Sequence, residues 1–72
     1  MSGVTIRETG TVDRFAVDRG FGFIRSDFGG GAVFFTAAAL PPGVAVSAGD
    51  AVRYTIVEDT RGPRALAIEV LP

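Results

Sequence analysis

The chain has 72 residues, of which seven are Arg and eight are acidic, and its net charge is −1. It contains no Lys, His or Cys, the side chains that most often serve as neutral-pH bases and nucleophiles. We therefore expect no enzymatic activity, no cofactor and no metal. The length fits a single domain. The lack of Cys and of a long apolar segment favours a cytoplasmic protein.

Five short strands are expected, because apolar residues form short runs separated by Gly and Pro, and no helical period lasts more than a turn. In chain order the strands cover residues 10–17, 21–25, 32–36, 51–58 and 63–71. Residues 26–31 form a loop, and residues 37–43 a short turn or helical bend. This pattern predicts an all-β domain, a small barrel or sandwich, over residues 9–72. Residues 1–8 form an N-terminal extension, either an arm or a continuation of the first strand.

The segment RGFGFI places Phe21 and Phe23 on one face of the second strand and Ile24 on the other. Ile24 suits the core, so the two rings face outward. In the third strand, Phe34 lies on the face opposite Val33, and pairing of the two strands would set its ring beside the other two. The expected result is an aromatic surface made of Phe21, Phe23 and Phe34.

Three outward rings have no stability rationale, and an apolar cluster on a protein surface usually marks a binding site. Nucleic-acid bases are common partners of such rings, because each base stacked on an aromatic side chain contributes about 1–3 kcal/mol whatever its identity. Gly22, between two of the rings, is expected to keep the backbone open and to let the rings lie flat. The alternative is a register that differs by one residue, which would turn the same Phe residues into the core.

Several motifs follow one another in an order that covers residues 10–71: GTV, RGFGFI, AVFF, AGDAV and RGP. In this order they resemble the bacterial cold-shock proteins, whose cold-shock domain is a small five-stranded antiparallel OB-type Greek-key barrel. The resemblance implies binding of single-stranded RNA or DNA with little sequence preference, and a role as an RNA chaperone or a cold-induced regulator. An RNA-recognition motif domain also carries a Gly-Phe-Gly-Phe sequence, but it requires two helices and a longer chain.

The resemblance also assigns the nucleic-acid-binding residues. They are Phe21, Phe23, Phe34, Arg14, Arg19, Arg61 and Arg64. Arg19 stands where the family usually has Lys, and Arg64 stands where it usually has Gln. Arg14 replaces a stacking Trp, although a guanidinium plane can itself stack on a base. For any single Arg the alternative is a solvated charge paired with an acid, which for Arg14 would be Asp13 or Glu58.

The chain departs from the family where the binding face is usually built. Asp13 replaces a phosphate-contacting Lys, and Ala32 replaces an Asp. Thr36 and Ala37 stand in place of a stacking His and a stacking Phe. The loop at residues 41–50 is shorter than usual and lacks an exposed aromatic residue. With about half of the usual face lost, we expect an affinity in the micromolar range or weaker.

Two functions are compatible with these departures. The first is binding of single-stranded nucleic acid, with weak sequence preference because Asn and Gln, which read adenine best, are missing. The second is a cold-shock fold without nucleic-acid binding that uses its Phe face or an open strand edge for protein interaction or self-association, including a homodimer. The three Phe and Arg19 favour the first function, whereas Asp13 and Thr36 favour the second.

Overall fold

The computed structural model describes residues 7–72, which form five β-strands and a single 3-10 helix. The strands are β1 (Arg7–Ala16), β2 (Phe21–Ser26), β3 (Ala32–Thr36), β4 (Ala51–Asp59) and β5 (Gly62–Val70), and the 3-10 helix at Ala37–Ala39 follows β3. All five expected strands are present, and the bend expected after the third strand is this short helix.

The first strand begins earlier than expected. Arg7 and Glu8 pair with Thr55 and Tyr54 of β4, so the expected domain boundary after residue 8 falls inside β1. The Arg7 guanidinium fixes this start by donating hydrogen bonds to Oγ1 of Thr55 at 2.9 Å and to the carbonyl of Ala67 at 3.2 Å. The earlier start could not be predicted from the sequence, because Arg7 and Glu8 are both polar and do not continue the apolar alternation of the strand. Residues 1–6, the rest of the expected extension, lie outside the described residues.

The strands close into a barrel in the order β1-β2-β3-β5-β4. Four of the pairings are antiparallel. The fifth, between β3 and β5, is parallel and is made through Phe34 and Arg64. The expectation of an antiparallel barrel is wrong at this one pairing. In a closed ring with an odd number of strands, neighbouring strands cannot alternate in direction all the way around.

The interior of the barrel is filled from alternate positions of the strands. Ile24, Val33 and Phe35 point inward from β2 and β3 and are at most 3% exposed. Phe35 stacks on the half-buried ring of Phe15, with ring centroids 5.5 Å apart. The full core consists of Val12, Ile24, Val33, Phe35, Ala39, Leu40, Val46, Val52, Tyr54, Ala65 and Ile68. The alternative register, in which the outward Phe residues form the core, is therefore wrong.

Gly22 serves the interior rather than the surface. A Cβ atom at this position would overlap the carbonyl oxygen of Arg14 and lie 2.9 Å from Cζ of Phe35. The expectation that Gly22 opens the outer face is wrong, because its missing side chain points into the barrel. Gly22 instead lets the backbones of β1 and β2 approach each other above the Phe35 ring.

The two neighbouring rings of β3 should differ sharply in their effect on stability. Phe35→Ala removes a ring that is 0% exposed, and we expect it to lower the free energy of unfolding by about 3–5 kcal/mol. Phe34→Ala removes a half-buried ring whose main contribution is aromatic pairing, and we expect a loss of about 1 kcal/mol. Urea unfolding of both variants measures the difference; equal losses would contradict the assignment of the two faces.

Tyr54 is completely buried in the core. Its hydroxyl lies near Ser26 and Glu8, but no group within residues 7–72 meets it with hydrogen-bond geometry. Burial is the main cause that raises the pKa of the Tyr54 hydroxyl above its ordinary value, and the nearby carboxylates of Glu8 and Asp27 add to the rise.

Tyr54→Phe should change stability little at neutral pH, because the hydroxyl it removes has no hydrogen-bond partner within residues 7–72.

The raised pKa of Tyr54 means that the native state holds the phenolic proton more tightly than the unfolded chain does. This contribution is constant below about pH 10 and is lost as the pH rises further. The chain has no Lys to titrate in the same range. Urea unfolding between about pH 8 and 11 should show an alkaline loss in the parent protein that the variant lacks. An equally steep loss in both would refute the assignment.

Candidate nucleic-acid interface

The three outward Phe rings form one contiguous surface, the aromatic platform (Phe21, Phe23 and Phe34). Phe23 lies directly opposite Phe34 in the β2–β3 ladder, and Phe21 precedes Phe23 on the same face. The ring centroids are 5.8 Å apart for Phe23 and Phe34, 6.0 Å for Phe21 and Phe34, and 6.4 Å for Phe21 and Phe23. The cross-strand cluster expected from the alternation of the two strands is thus present.

The rings of the platform do not lie flat. Phe23 stands at 84° to Phe21 and at 64° to Phe34, and Phe21 and Phe34 are tilted by 33°. The expectation of flat rings is wrong because Phe23 packs edge-on against its neighbours, an arrangement that aromatic pairs prefer. This packing also leaves each ring half-buried. Differently oriented rings suit bases that are splayed apart, as in a single strand, rather than bases in one continuous stack.

Arg14 borders the platform on the β1 side. It is the β1 partner of Phe23, so its side chain leaves the sheet on the same face. Arg14 is exposed and forms no ion pair with any residue of the range 7–72. Asp13, one of the two acids considered as its partner, is instead bound to Arg25 at 2.8 Å. The guanidinium of Arg14 is therefore accessible to a ligand beside Phe23.

Arg64 borders the platform on the β5 side. Its guanidinium carbon lies 6.0 Å from the centroid of the Phe34 ring, within the range of a cation–π contact. Nη1 of Arg64 is 3.5 Å from Oδ2 of Asp59, while its Nε is buried without a partner in the described part of the chain. The pKa of Asp59 lies below its ordinary value, mainly because the backbone N–H of Thr60 donates to its carboxylate, with a smaller effect from Arg64. Arg64 is thus both part of the candidate interface and a member of an ion pair.

The other two basic candidates lie in turns. Arg19 lies in the β1–β2 turn and Arg61 in the β4–β5 turn, and both are exposed. Four of the seven Arg residues form ion pairs with acids: Arg7, Arg25, Arg53 and Arg64. The three Arg without an acidic partner within residues 7–72 are therefore Arg14, Arg19 and Arg61. All three are among the nucleic-acid-binding residues predicted from the sequence. No hydrogen bond of the described residues ties Arg19 or Arg61 to the platform.

The aromatic platform ends at Phe21. Thr36 lies directly opposite Phe21 in the ladder, and Ala37 follows as the first, exposed residue of the 3-10 helix. At these two positions the family that the chain resembles usually has a stacking His and a stacking Phe, which this chain lacks. Small residues there limit the platform to three rings.

The β2–β3 loop contains a feature that the sequence did not assign to the interface. Phe28 is 75% exposed, and its backbone N–H donates to Oγ of Ser26 at 3.0 Å. Beside this loop lies a depression of about 470 Å³. Its lining residues are Asp13, Arg25, Ser26, Gly29, Gly31 and Ala32. In the sequence, this feature could be found only from a lone Phe followed by three Gly, a pattern that indicates an exposed apolar side chain on a loop.

Residues 7–72 contain no group of His, Cys, Asp and Glu side chains arranged to hold a metal ion. In the same range, no helix has the length and apolar character needed to cross a membrane.

The chain is similar to known proteins along nearly its whole length. The model of the 'Cold-shock' DNA-binding domain matches residues 8–71. A cold shock-like protein of Aquifex aeolicus (strain VF5) is 39% identical over 64 residues, which cover 86% of this chain and 91% of that protein. The solved structure of drosophila Unr CSD456 matches with a TM-score of 0.76 and 28% identity over 93% of this chain, which spans 27% of the length of that one.

These similarities agree with the closed five-stranded barrel and with the aromatic platform on β2 and β3. The family predicted from the motifs is confirmed. The chain belongs to the cold-shock DNA-binding domain family, a family of nucleic-acid-binding proteins.

Proposed function

We propose that this protein binds single-stranded RNA or DNA on the aromatic platform, by stacking of bases on Phe21, Phe23 and Phe34. The observation that carries the proposal is the outward position of these three rings, packed against one another within 6.4 Å. Outward rings can stack on unpaired bases, whereas a base inside a duplex has no free face to offer. Membership of a nucleic-acid-binding family supports the same partner.

The affinity should be modest. Three stacked bases contribute about 3–9 kcal/mol before costs. Ordering a flexible strand and losing rigid-body freedom oppose this by several kcal/mol. Because the platform has only three rings and ends at Thr36 and Ala37, we propose a dissociation constant in the micromolar range or weaker. Stacking tolerates every base, so the overall sequence preference should be low.

Three Arg side chains would supply the phosphate contacts and a further stacking surface. Arg14, Arg19 and Arg61 have no acidic partner among the described residues, so a phosphate need not displace a carboxylate to reach them. Each phosphate contact to a single strand contributes a slope of about −0.7 in log affinity against log salt, or about −2 for three contacts. Arg64, laid over Phe34, would contact the same strand from β5.

Weak binding to unpaired bases supports a role as an RNA chaperone. A protein that binds the open strand but not the duplex shifts the equilibrium toward the open strand by mass action. Low sequence preference lets it act on many strands, and fast release lets the RNA refold. No catalytic group is needed for this activity, and we propose that the protein is not an enzyme.

A second candidate, self-association or a protein interaction, is favoured by one observation, the apolar character of the platform. A stable interface buries about 800 Å² on each partner, and three half-buried rings provide only part of such an area. The version that uses an open strand edge has less support, because the strands of residues 7–72 close into a barrel. We retain a homodimer through the platform as the alternative.

Fluorescence anisotropy with labelled single-stranded oligonucleotides, at two salt concentrations, tests the proposal. The parent protein should bind saturably, and Phe21→Ala/Phe34→Ala should bind at least about tenfold more weakly, since it removes two stacking rings. Val70→Ala, which trims an apolar side chain that is 39% exposed near the end of β5, serves as the matched control and should bind like the parent. Circular dichroism checks that each variant is folded.

Two results would overturn nucleic-acid binding by the platform. One is the absence of binding by the parent protein up to about 100 µM, well beyond the affinity argued above. The other is equal binding by the parent and the folded double variant. Sedimentation of the parent protein without nucleic acid would then decide for the homodimer if its mass is twice that of the chain.

A further inference from the structure

We propose that the depression beside the aromatic platform is a subsite that prefers guanine, read by Asp13 and Arg25. This inference rests on the proposed binding of single-stranded nucleic acid and adds a base preference at one position. Stacking on the three Phe rings gives no such preference. The depression has a volume of about 470 Å³ and adjoins the β2–β3 loop, so it can admit a purine base.

The subsite continues the face on which the strand would lie. Residues on one face of a β-strand alternate, so Arg25 follows Phe23 on the outer face of β2. The next outward pair of the β2–β3 ladder after Phe23 and Phe34 is Arg25 and Ala32. The step from one pair to the next is about 7 Å, a distance that one extended nucleotide spans. A strand with a base on Phe23 can therefore place a neighbouring base in the depression.

The depression is open because its walls carry small side chains. Ala32, Gly29 and Gly31 line it, and a Cβ added at either of these glycines would meet no other atom within 4 Å. Phe28, between two of the lining residues along the chain, is 75% exposed. An apolar ring left in solvent on the same loop offers a base a stacking surface that the barrel itself does not use.

The polar groups of the subsite match the edge of guanine. Nη2 of Arg25 contacts Oδ1 of Asp13 at 2.8 Å, and the two side chains remain 75% and 45% exposed. One such contact leaves most of the guanidinium donors and carboxylate acceptors free. Guanine presents O6 and N7 as acceptors for a guanidinium, and its adjacent N1–H and N2–H groups are donors for a carboxylate.

The other bases fit this pair less well. Adenine and cytosine each offer one amino group to the carboxylate, and next to it a ring nitrogen acceptor that a carboxylate cannot approach closely. Uracil and thymine present one N–H group between two carbonyl oxygens, which a carboxylate repels. Guanine alone presents two adjacent donors beside two adjacent acceptors. The Asp13–Arg25 pair therefore favours guanine.

The position of Asp13 also argues for contact with a base edge. A free carboxylate on a nucleic-acid-binding face would repel phosphates, whereas one neutralised by Arg25 acts as an acceptor without a net charge. The pair of Arg53 and Glu69, at 3.2 Å, is a comparable exposed ion pair, but neither of its members lines the depression. It provides a matched control for the loss of a surface Arg.

The test uses a thymidine heptamer and the same heptamer with a single dG, dC or dA at each position in turn. Fluorescence anisotropy should show that at least one dG-substituted strand binds the parent protein about fivefold or more tightly than the thymidine heptamer. The corresponding dC and dA strands should gain less. In Asp13→Asn and in Arg25→Gln the dG advantage should fall to within about twofold, whereas Arg53→Gln should keep it.

The outcomes separate this inference from the proposed function. If the parent protein binds the thymidine heptamer but shows no dG advantage, the guanine subsite is overturned while binding by the platform stands. An Asp13→Asn variant that keeps the dG advantage, or that binds every strand more tightly by the same factor, shows that Asp13 acts only as a negative charge, and overturns the subsite. If the parent protein binds no strand, both proposals fail.

Discussion

The contact between β1 and β2 at Gly22 leaves no room for a side chain, and the position of every aromatic ring on β2 and β3 depends on this constraint. A shift of β2 by one residue would place Phe21 or Phe23 where even a Cβ overlaps the Arg14 carbonyl oxygen. The register is therefore locked, and strand alternation then directs Phe21 and Phe23 outward. The same lock keeps Phe35 beneath Gly22 as a core ring and Phe34 on the surface. Core packing and the candidate binding surface are thus two consequences of one close approach.

Charged side chains are arranged differently around the aromatic platform and away from it. The net charge of −1 does not show this local pattern. Away from the platform, Glu69 lies within 3.5 Å of both Arg7 and Arg53. Around the platform, the Arg residues differ in state: Arg14 has no acidic partner within residues 7–72, while Arg25 and Arg64 are held by Asp13 and Asp59. Positive charge is therefore present at the platform but partly neutralised, which suits contact with bases as much as contact with phosphates.

Much of this architecture follows from the sequence, because the alternation of apolar residues and the Gly and Pro between runs are local signals. They predicted five strands, and they placed Phe21, Phe23 and Phe34 on one face. The inclination of the rings and the Asp13–Arg25 contact could not be predicted, because they depend on residues that the fold brings together; Asp13 and Arg25 are 12 positions apart in the chain. A closed ring of five strands requires a parallel pair, but the local signals do not show that it is β3 and β5. The role of Gly22 was placed on the wrong face, because a glycine carries no sign of which side of a strand lacks space.

The most direct test of the central claim is a ¹⁵N–¹H correlation spectrum of the protein titrated with a short single-stranded oligonucleotide. Binding on the aromatic platform predicts that the largest amide shifts occur in β2 and β3, with further shifts at Arg14 and Arg64, which border it. Amides at the end of β5 that pairs with the start of β4, such as those of Val70 and Glu69, should change little. Saturable shifts centred on this end of β4 and β5, with β2 and β3 unaffected, would contradict the account.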